Sequence, residues 1–440
     1  MIGPRSSHLL RHRTPAAAFV FASLCRAGPR RRPFAAAASP GPPAPAASPV
    51  VRHPRRFSTT STTMPEFPAP LELISSDDPA LWTRLVDLTA QLPPSVQAFN
   101  AAHPANRITL LGKCEFANPG MSHKDRIAKT MLERAEARGD LAGPDGGKKT
   151  ILAASSGNTG CSLALVGTLM GYDVVVITNA KCSEEKRAHI RSNGATLWLA
   201  EDLPARFPDE LGSETDYMKQ EDLLAAAHPD QYFSVDQYNN LDNRDAHHDG
   251  TGHEIWEQTA GAVTHFVMSS STGGTIQGVG KFLKARDPKV EVVLADPEKS
   301  RLAGLLEERT DTAAGAATLA AVAAKIAATG GVAVEGAGKE ALTAIMTTGG
   351  TPLEHVDYSL SVNDFDAFDE CRAVAAAGLL VGGSAGVNVR AAKALAERCV
   401  AEGPREGGVC IVTLLCDHGI KYLSKIFNDE WMKAHDTRGR

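Results

Sequence analysis

One lysine lies among residues that could make its amine reactive. In the stretch 118–126, with sequence NPGMSHKDR, Lys124 follows a Pro-Gly turn, a hydroxyl and an imidazole, and two opposite charges come directly after it. A lysine amine becomes a nucleophile towards a carbonyl group when its surroundings lower its pKa. A solvated lysine just inside a helix has the same local sequence, so this stretch alone leaves both interpretations open.

Three glycine-containing turns elsewhere have residue types that suit anions. They are SSGNTG at 155–160, STGGT at 271–275 and GGSAG at 382–386, and each opens an apolar, helix-like run. Backbone N–H groups and small hydroxyls at a helix N-terminus bind carboxylates and phosphates well. The second turn is neither a GxGxxG dinucleotide turn nor a Walker loop, because no lysine follows its glycines. Each turn alone is a weak signal, since a plain tight turn has the same composition.

The segments around these turns alternate between strand and helix patterns. Strands are predicted at 149–153, 174–177, 196–199, 265–268, 290–294 and 409–415, with helices between them. Ser183 is a suitable N-cap for one helix, which ends at 193–194. Strands joined by helical crossovers indicate mainly parallel sheets. We expect two α/β layers, separated near residues 205–240, and an inserted helix or surface spacer at the alanine-rich residues 309–330.

The composition argues against several functional classes. With 440 residues, 43% of them hydrophobic, the chain is long enough for two globular domains. No run of about eighteen apolar residues is present, so no membrane span is predicted. Residues 1–65 hold ten arginines and no acid, which leaves the remainder with 46 − 10 = 36 basic and 51 acidic side chains, a net charge of −15. An acidic body argues against nucleic acid as a partner, and the eight cysteines lack metal-ligand spacing.

Residues 1–63 are predicted to be a mitochondrial transit peptide with a disordered linker. The segment is rich in Arg, Ala, Ser and Pro, and 55–58, with sequence RRFS, resembles a mitochondrial processing site. We therefore expect the mature protein in the mitochondrial matrix. A disordered basic tail without a targeting role is the alternative.

Four motifs in this order resemble the cysteine synthase and cystathionine β-synthase family of pyridoxal-phosphate (PLP) enzymes, of fold type II. The motifs are NPxxSxKDR, SGNTG, TGGT and GGSAG, and the likeness extends from about residue 110 to 432. The resemblance implies an α/β fold with two open, twisted, mainly parallel sheets flanked by helices, and an active site between two domains. The expected domains are a large PLP-binding one, 64–117 plus 241–440, and a smaller substrate-side one, 118–240. A homodimer is also implied.

The resemblance implies a role for each motif residue. Lys124 would form the Schiff base with PLP and later remove the substrate α-proton. The other residues expected to bind the cofactor are Asn158 at the ring oxygen, Ser271, Thr272, Gly273, Gly274 and Thr275 at the phosphate, and Ser384 at the pyridine nitrogen. The residues expected to bind the substrate carboxylate are Ser155, Ser156, Thr159 and Gln237. No metal ligand is expected.

The expected reaction is β-replacement through an aminoacrylate. A hydroxyl such as that of Ser384 leaves the ring nitrogen largely unprotonated, so the ring is a moderate electron sink. We expect cysteine synthesis from O-acetylserine and sulfide. Acetate is a better leaving group than hydroxide, and no acid that would protonate a departing hydroxyl can be identified from the sequence. Cystathionine formation from serine and homocysteine is the alternative, and a PLP-binding relative without catalysis is another. The expected partners are thus a small amino acid and a sulfide or thiol nucleophile.

Several residues depart from the family's pattern near the site. His123 replaces a small apolar residue and either tunes the site or is structural. Met121 replaces a common glycine and is expected to pack, and His418 replaces a hydroxyl near the pyridine nitrogen. Residues 335–338 resemble the active-site mouth but lack the aromatic residue that follows in cystathionine synthases. With the insertion at 309–330 just before them, substrate choice is expected to differ from the family's usual members.

Overall fold

The computed structural model describes residues 68–180 and 182–438, which lie within one compact unit, Glu66–Arg440. The predicted transit peptide at 1–63 lies outside the described residues.

The strands of the described residues form two separate sheets. They are β1 Leu85–Asp87, β2 Ile108–Lys113, β3 Thr150–Ala154, β4 Val174–Thr178, β5 Thr196–Leu199, β6 Tyr232–Ser234, β7 His265–Met268, β8 Glu291–Pro297, β9 Tyr358–Val362 and β10 Val409–Leu414. The larger sheet has the order β1-β2-β10-β7-β8-β9 and the smaller one β5-β4-β3-β6. All neighbouring strands are parallel except β1 and β2. The expected α/β fold class with two mainly parallel sheets is confirmed.

Helices connect and cover these strands. They are α1 Pro94–Ala102, α2 Lys124–Arg138, α3 Asn158–Leu169, α4 Glu184–Ser192, α5 Leu203–Arg206, α6 Pro208–Leu211, α7 Tyr217–Ala227, α8 Asp242–Ala246, α9 His253–Gln258, α10 Gly274–Arg286, α11 Leu302–Glu307, α12 Thr312–Thr329, α13 Ala344–Thr347, α14 Asp364–Ala376, α15 Gly383–Glu402 and α16 Asp429–His435. A π-helical turn, His247–Gly252, joins α8 to α9.

The central strands β3 and β4 of the smaller sheet are buried on both faces, as parallel strands usually are. Successive side chains of a strand point to opposite faces. Ile151 and Val176 accordingly belong to the core that includes residues of α2 and α3, whereas Leu152, Val175 and Ile177 belong to the core that includes residues of α7. This two-sided burial explains why these strands read as continuous apolar runs.

The chain changes from one sheet to the other twice. The larger sheet takes β1 and β2 from before residue 118 and β7 to β10 from after residue 240, and all strands of the smaller sheet lie between. The domain boundaries at 118 and 240 themselves stay a prediction. In parallel sheets the turns after the carboxyl ends of the strands are where ligands usually bind.

The alanine-rich residues form a helix, α12, as expected. Asp311 caps it by accepting hydrogen bonds from the N–H groups of Ala313 and Ala314. Only Gly315 and Val322 of this helix are buried. By length and composition alone, α12 is also the one helix of the described residues that could cross a membrane. The absence of a membrane span therefore stays a prediction.

Candidate active site

Turns from both sheets meet at one cavity. It is lined by His123, Lys124, Ala154, Ser155, Ser156, Gly157, Asn158, Thr159, Tyr217, Gln237, Tyr238, Ser271, Thr272, Gly336 and Ser384. Of the residues with expected roles, Gly273 and Thr275 line a small adjoining cavity that shares Lys124, and Gly274 begins α10. The structure thus brings together residues with expected roles that lie up to 260 positions apart in the sequence, Lys124 and Ser384 being the most distant of them.

The amine at the first residue of α2 has an altered acidity. Lys124 is half-buried, and burial lowers the pKa of its amine from the ordinary 10.5 to about 8, against the opposing effects of Cys416 and Asp417. A larger fraction of this amine is therefore unprotonated near neutral pH than of a surface lysine. It can act as a nucleophile or as a base.

The two charges after Lys124 hold the start of α2 in place. Asp125 accepts hydrogen bonds from the Gly120 N–H and the Ser162 hydroxyl, both at 2.5 Å. A side chain at Gly120 would collide with the Asp125 carboxylate. The Arg126 guanidinium donates to Glu115 at 2.7 Å in a buried ion pair. The charged neighbours therefore have structural partners, which leaves Lys124 as the charged residue of the motif that lines the cavity.

The turn before α3 has N–H groups that can bind an anion. The Ser155 hydroxyl accepts hydrogen bonds from the N–H groups of Gly157 at 3.3 Å and Gly160 at 3.0 Å, which closes the turn. The Thr159 hydroxyl donates to the Gln237 side chain at 2.7 Å. The N–H groups of the first helical turn have no partner inside the helix. Those at Asn158 and Thr159 therefore suit a substrate carboxylate.

The Asn158 side chain is fixed by residues that the sequence analysis did not select. Its amide nitrogen donates to Asp417 at 2.8 Å, and its oxygen accepts from the Lys421 ammonium at 2.8 Å. The Tyr422 hydroxyl donates to the same Asp417 carboxylate at 2.7 Å. An amide nitrogen carries two hydrogens, so one of them is left for a ligand. A carboxylate three residues after the carboxyl end of β10 was the available sequence signal for Asp417.

The small adjoining cavity has hydroxyls whose hydrogen-bonding capacity is unused. Ser269 and Ser270 line it, are buried, and have hydroxyl oxygens without a hydrogen-bond partner among the described residues. Gly273 has a left-handed φ of +91°, which turns the chain into the N-terminus of α10. Buried hydroxyls at a helix N-terminus fit a phosphate group. The run of three serines, 269–271, was the sequence signal for two further donors.

Two buried side chains support this phosphate turn, Asn243 of α8 and His247 of the π-helical turn. The Asn243 amide donates to the Gln237 carbonyl at 2.7 Å and to the Thr272 hydroxyl at 3.2 Å. His247 Nε2 lies 3.1 Å from the Thr275 hydroxyl. Asn243 therefore links the turn expected to bind phosphate to the residue expected near the substrate carboxylate.

The opposite end of the cavity has neutral groups. Ser384 is the second residue of α15 and lies close to the buried Cys416 thiol. Burial raises the pKa of Cys416 to about 12, so this thiol stays protonated. No aspartate or glutamate is among the cavity-lining residues of the described chain. The cavity therefore combines one amine and one imidazole with amide, hydroxyl and N–H donors.

The departures from the family pattern have separate explanations. Burial, together with the charge of Lys124, lowers the pKa of His123 to about 3, so this imidazole is neutral; its Nδ1 lies 3.2 Å from the Cys416 carbonyl oxygen. The expectation that Met121 packs is wrong, because its side chain is 37% exposed. Its φ of +59° explains why glycine is common there. His418 accepts from the Ile420 N–H at 3.1 Å and does not line the cavity.

These residues fit PLP. The amine of lowered pKa could bond to an aldehyde, the serine hydroxyls and the N-terminus of α10 could hold a phosphate, and Asn158 and Ser384 could offer hydrogen bonds to a pyridine ring. When bound, PLP would supply an electron sink for chemistry at the substrate α-carbon.

Lys124 is expected to react with the PLP aldehyde with a pH midpoint near 8. Only the free amine is nucleophilic, and the lowered pKa places half of it in that form at about pH 8. The rate of absorbance change after adding PLP to apo-protein between pH 6.5 and 10.5 measures this. Borohydride reduction and peptide mass analysis identify the modified residue, and a midpoint near that of a surface lysine would contradict the prediction.

Comparisons with known proteins agree with this chemistry. A family model described as "Pyridoxal-phosphate dependent enzyme" matches residues 93–417. Cysteine synthase 2 of Schizosaccharomyces pombe is 33% identical over 333 residues, which cover 74% of this chain and 78% of that protein. Cystathionine beta-synthase of Mus musculus is 35% identical over 328 residues, 73% of this chain and 51% of that protein. The crystal structure of O-ureido-L-serine synthase superposes with a TM-score of 0.60 and 28% identity, covering 84% of this chain and 100% of that one.

Proposed function

The chain belongs to the pyridoxal-phosphate-dependent enzymes, as a member that catalyses β-replacement, and we propose that it makes cysteine and acetate from O-acetylserine and sulfide. The expected family, cofactor and enzyme class are confirmed. The similarity to cysteine synthase 2 over 78% of that protein supports the choice of reaction, whereas the chain spans about half the length of the mouse cystathionine beta-synthase.

The observation that carries the proposal is the lack of a carboxyl group in the cavity lining of the described residues. Acetate leaves as a stable anion, but a serine hydroxyl must be protonated as it departs. The nearby Asp417 carboxylate already accepts hydrogen bonds from Asn158 and Tyr422. A substrate with a good leaving group suits such a site better than serine.

The side chains of the cavity divide the work of such a reaction. Lys124 would hold the cofactor at its amine and would be the base for the α-proton of the substrate. The N–H groups at Asn158 and Thr159 hold the substrate carboxylate, with Gln237 fixed beside them by Thr159. The neutral hydroxyl of Ser384 and thiol of Cys416 place no formal charge at that end of the cavity.

In the test, protein from residue 58 onward is purified and assayed with four substrate pairs. These pairs combine O-acetylserine or serine with sulfide or homocysteine. The highest kcat/KM is expected for O-acetylserine with sulfide. A higher value for serine with homocysteine would replace the proposal with cystathionine synthesis. Cofactor binding without turnover of any pair would instead indicate a silent relative.

We further propose that the protein works in the mitochondrial matrix as a homodimer. The ten arginines without an acid in residues 1–65 support the location, and the family resemblance supports the dimer. Residues 1–57 fused to a fluorescent reporter should enter mitochondria, and light scattering of the active enzyme should give twice the chain mass. A diffuse reporter or a monomer would contradict these proposals.

A further inference from the structure

A second cavity lies beside the active site. Its volume is about 540 Å³, and it is lined by Lys299, Ile326, Gly331, Val332, Gly338, Lys339, Glu340 and Ala341. Segment 335–339 separates the two cavities, because Gly336 lines the active site and Gly338 and Lys339 line the outer cavity. Ile326 contributes a wall from the inserted helix α12. The insertion therefore shapes the space at the active-site mouth.

Lys339 connects the two cavities through an aromatic ring. Its ammonium lies 4.0 Å from the centroid of the Tyr238 ring, and Tyr238 lines the active site. Ser271, of the turn expected to bind phosphate, lines the active site together with Tyr238. A cation over an aromatic face is held in place without losing its formal charge. The backbone of Lys339 is also fixed, since its N–H donates to Ser300 and its carbonyl accepts from the Arg301 N–H.

The Lys339 ammonium has no carboxylate within the ion-pair distance of 4 Å among the described residues. Lys339 is half-buried, and burial lowers the pKa of this group against the opposing effect of Glu340. A partly dehydrated cation beside an aromatic ring attracts an anion more strongly than a cation in bulk water does.

Glu340 also lines the outer cavity, but it is exposed and forms no ion pair with Lys339 among the described residues, and the charges of Lys299 and Glu335 are already paired. Lys299 lies 3.7 Å from Asp364. The carboxylate of Glu335, in the separating segment, is shared by Lys186 and by Lys425, the latter at 2.8 Å. Glu335 is therefore not available to Lys339. Lys339 is left as the cation that can meet an incoming ligand.

We propose that Lys339 is a specificity-determining residue that binds the carboxylate of the second substrate, so that the enzyme accepts small carboxylate-bearing thiols as well as sulfide. The inference rests on the proposed β-replacement. The thiol sulfur bonds to the β-carbon of the serine-derived substrate, the bond from that carbon to the acetoxy oxygen breaks, and acetate leaves with the electron pair. The thiol proton is released to solvent, so the products are a thioether amino acid, acetate and a proton.

The kinetic test compares two thiols of matched length in the holoenzyme with O-acetylserine. These are 3-mercaptopropionate and its neutral analogue 3-mercaptopropan-1-ol. The wild-type enzyme should prefer the acid, and Lys339→Met should lower kcat/KM for the acid by about tenfold or more, the size expected when a charge-assisted hydrogen bond is lost. Values for the alcohol and for sulfide should stay within about twofold. Lys339→Arg should retain most of the preference, and Lys325→Met, on exposed α12, should match the wild type.

A binding measurement separates this inference from the proposed reaction. Calorimetric titration of the holoenzyme with 3-(methylthio)propionate, which cannot react as a thiol, should show binding that Lys339→Met weakens by a similar factor. Loss of turnover with retained Lys339-dependent binding would overturn the proposed function and keep the subsite. Equal binding to wild type and Lys339→Met, or an equal fall in kcat/KM for acid and alcohol, would overturn the subsite.

Discussion

Lys124→Ala is expected to lower kcat by more than about 10³-fold, because one side chain both holds the cofactor and moves the substrate proton. The free energy of unfolding should change by less than about 1 kcal/mol, since the amine is half-buried and faces a cavity. Burial disfavours the charged form of this amine, as its lowered pKa shows. Removing it therefore relieves a cost in the apo-protein instead of breaking a stabilising contact.

The matched control is Lys219→Ala, whose side chain is 67% exposed and pairs with Glu214. It should leave kcat and unfolding unchanged. After borohydride reduction in the presence of PLP, peptide mass analysis should find the cofactor on residue 124 in the wild type and in the Lys219 variant. Wild-type turnover in Lys124→Ala would end the assignment of this lysine.

Elements stabilised by local interactions were predictable from the sequence. The helix expected from Ser183 is present as α4, and the Ser183 hydroxyl accepts from the Lys186 N–H as an N-cap does. The strands predicted at 196–199 and 265–268 have those bounds as β5 and β7. In each case the residues that determine the element lie within one turn or one strand. The local sequence pattern is therefore enough to predict the element.

Elements defined by distant partners were not predictable. The strands β6 and β9 are short or only partly buried, and they pair with β3 and β8, which lie far back along the chain. The same holds for the site: Asn158 and Asp417 form one hydrogen bond across 259 residues. A single sequence does not show which buried carboxylate meets which amide.

Met121 shows how a residue type alone can mislead. The apolar side chain of a methionine in place of glycine predicts that it packs against the protein. The direction of the Met121 side chain is set instead by its backbone conformation. The left-handed φ makes the residue point outwards, and its carbonyl oxygen accepts from the His418 N–H at 3.2 Å. Residue 121 therefore contributes to the site through its backbone and not through its side chain.

Arg126→Met is expected to lower the free energy of unfolding at pH 7.5 by about 3–5 kcal/mol, the usual cost of removing one partner of a buried ion pair. Arg126 donates to Glu115 at 2.7 Å, to Glu254 at 2.5 Å and to the Thr83 hydroxyl at 3.0 Å. Lys113 also pairs with Glu254 at 2.7 Å, and all four charged side chains are at most 2% exposed. Methionine keeps most of the aliphatic volume of the arginine side chain. The fall in the free energy of unfolding therefore measures the loss of the buried charge and its hydrogen bonds.

The effect should depend on pH. Burial alone would raise the pKa of Glu115, but Arg126 holds it well below the usual range, so in the wild type this carboxylate stabilises the fold above its unfolded pKa. Without Arg126, burial is opposed mainly by Lys113, so the pKa of Glu115 should rise and the buried charge should destabilise the fold at pH 7.5. Protonation removes that penalty, so the difference from the wild type should shrink between pH 7.5 and 5.5.

Urea unfolding at these two pH values measures the change, with Arg138→Ala as the control. Arg138 lies on the same helix, is 47% exposed and pairs with Asp140 and Asp242, so its loss should cost no more than about 1 kcal/mol. Because Arg126 lies in the first turn of α2, its variant should also bind PLP more weakly than the Arg138 variant does. A change below about 1 kcal/mol in Arg126→Met would mean that the two glutamates find other partners, and that the ion cluster does not fix the start of the helix that presents Lys124.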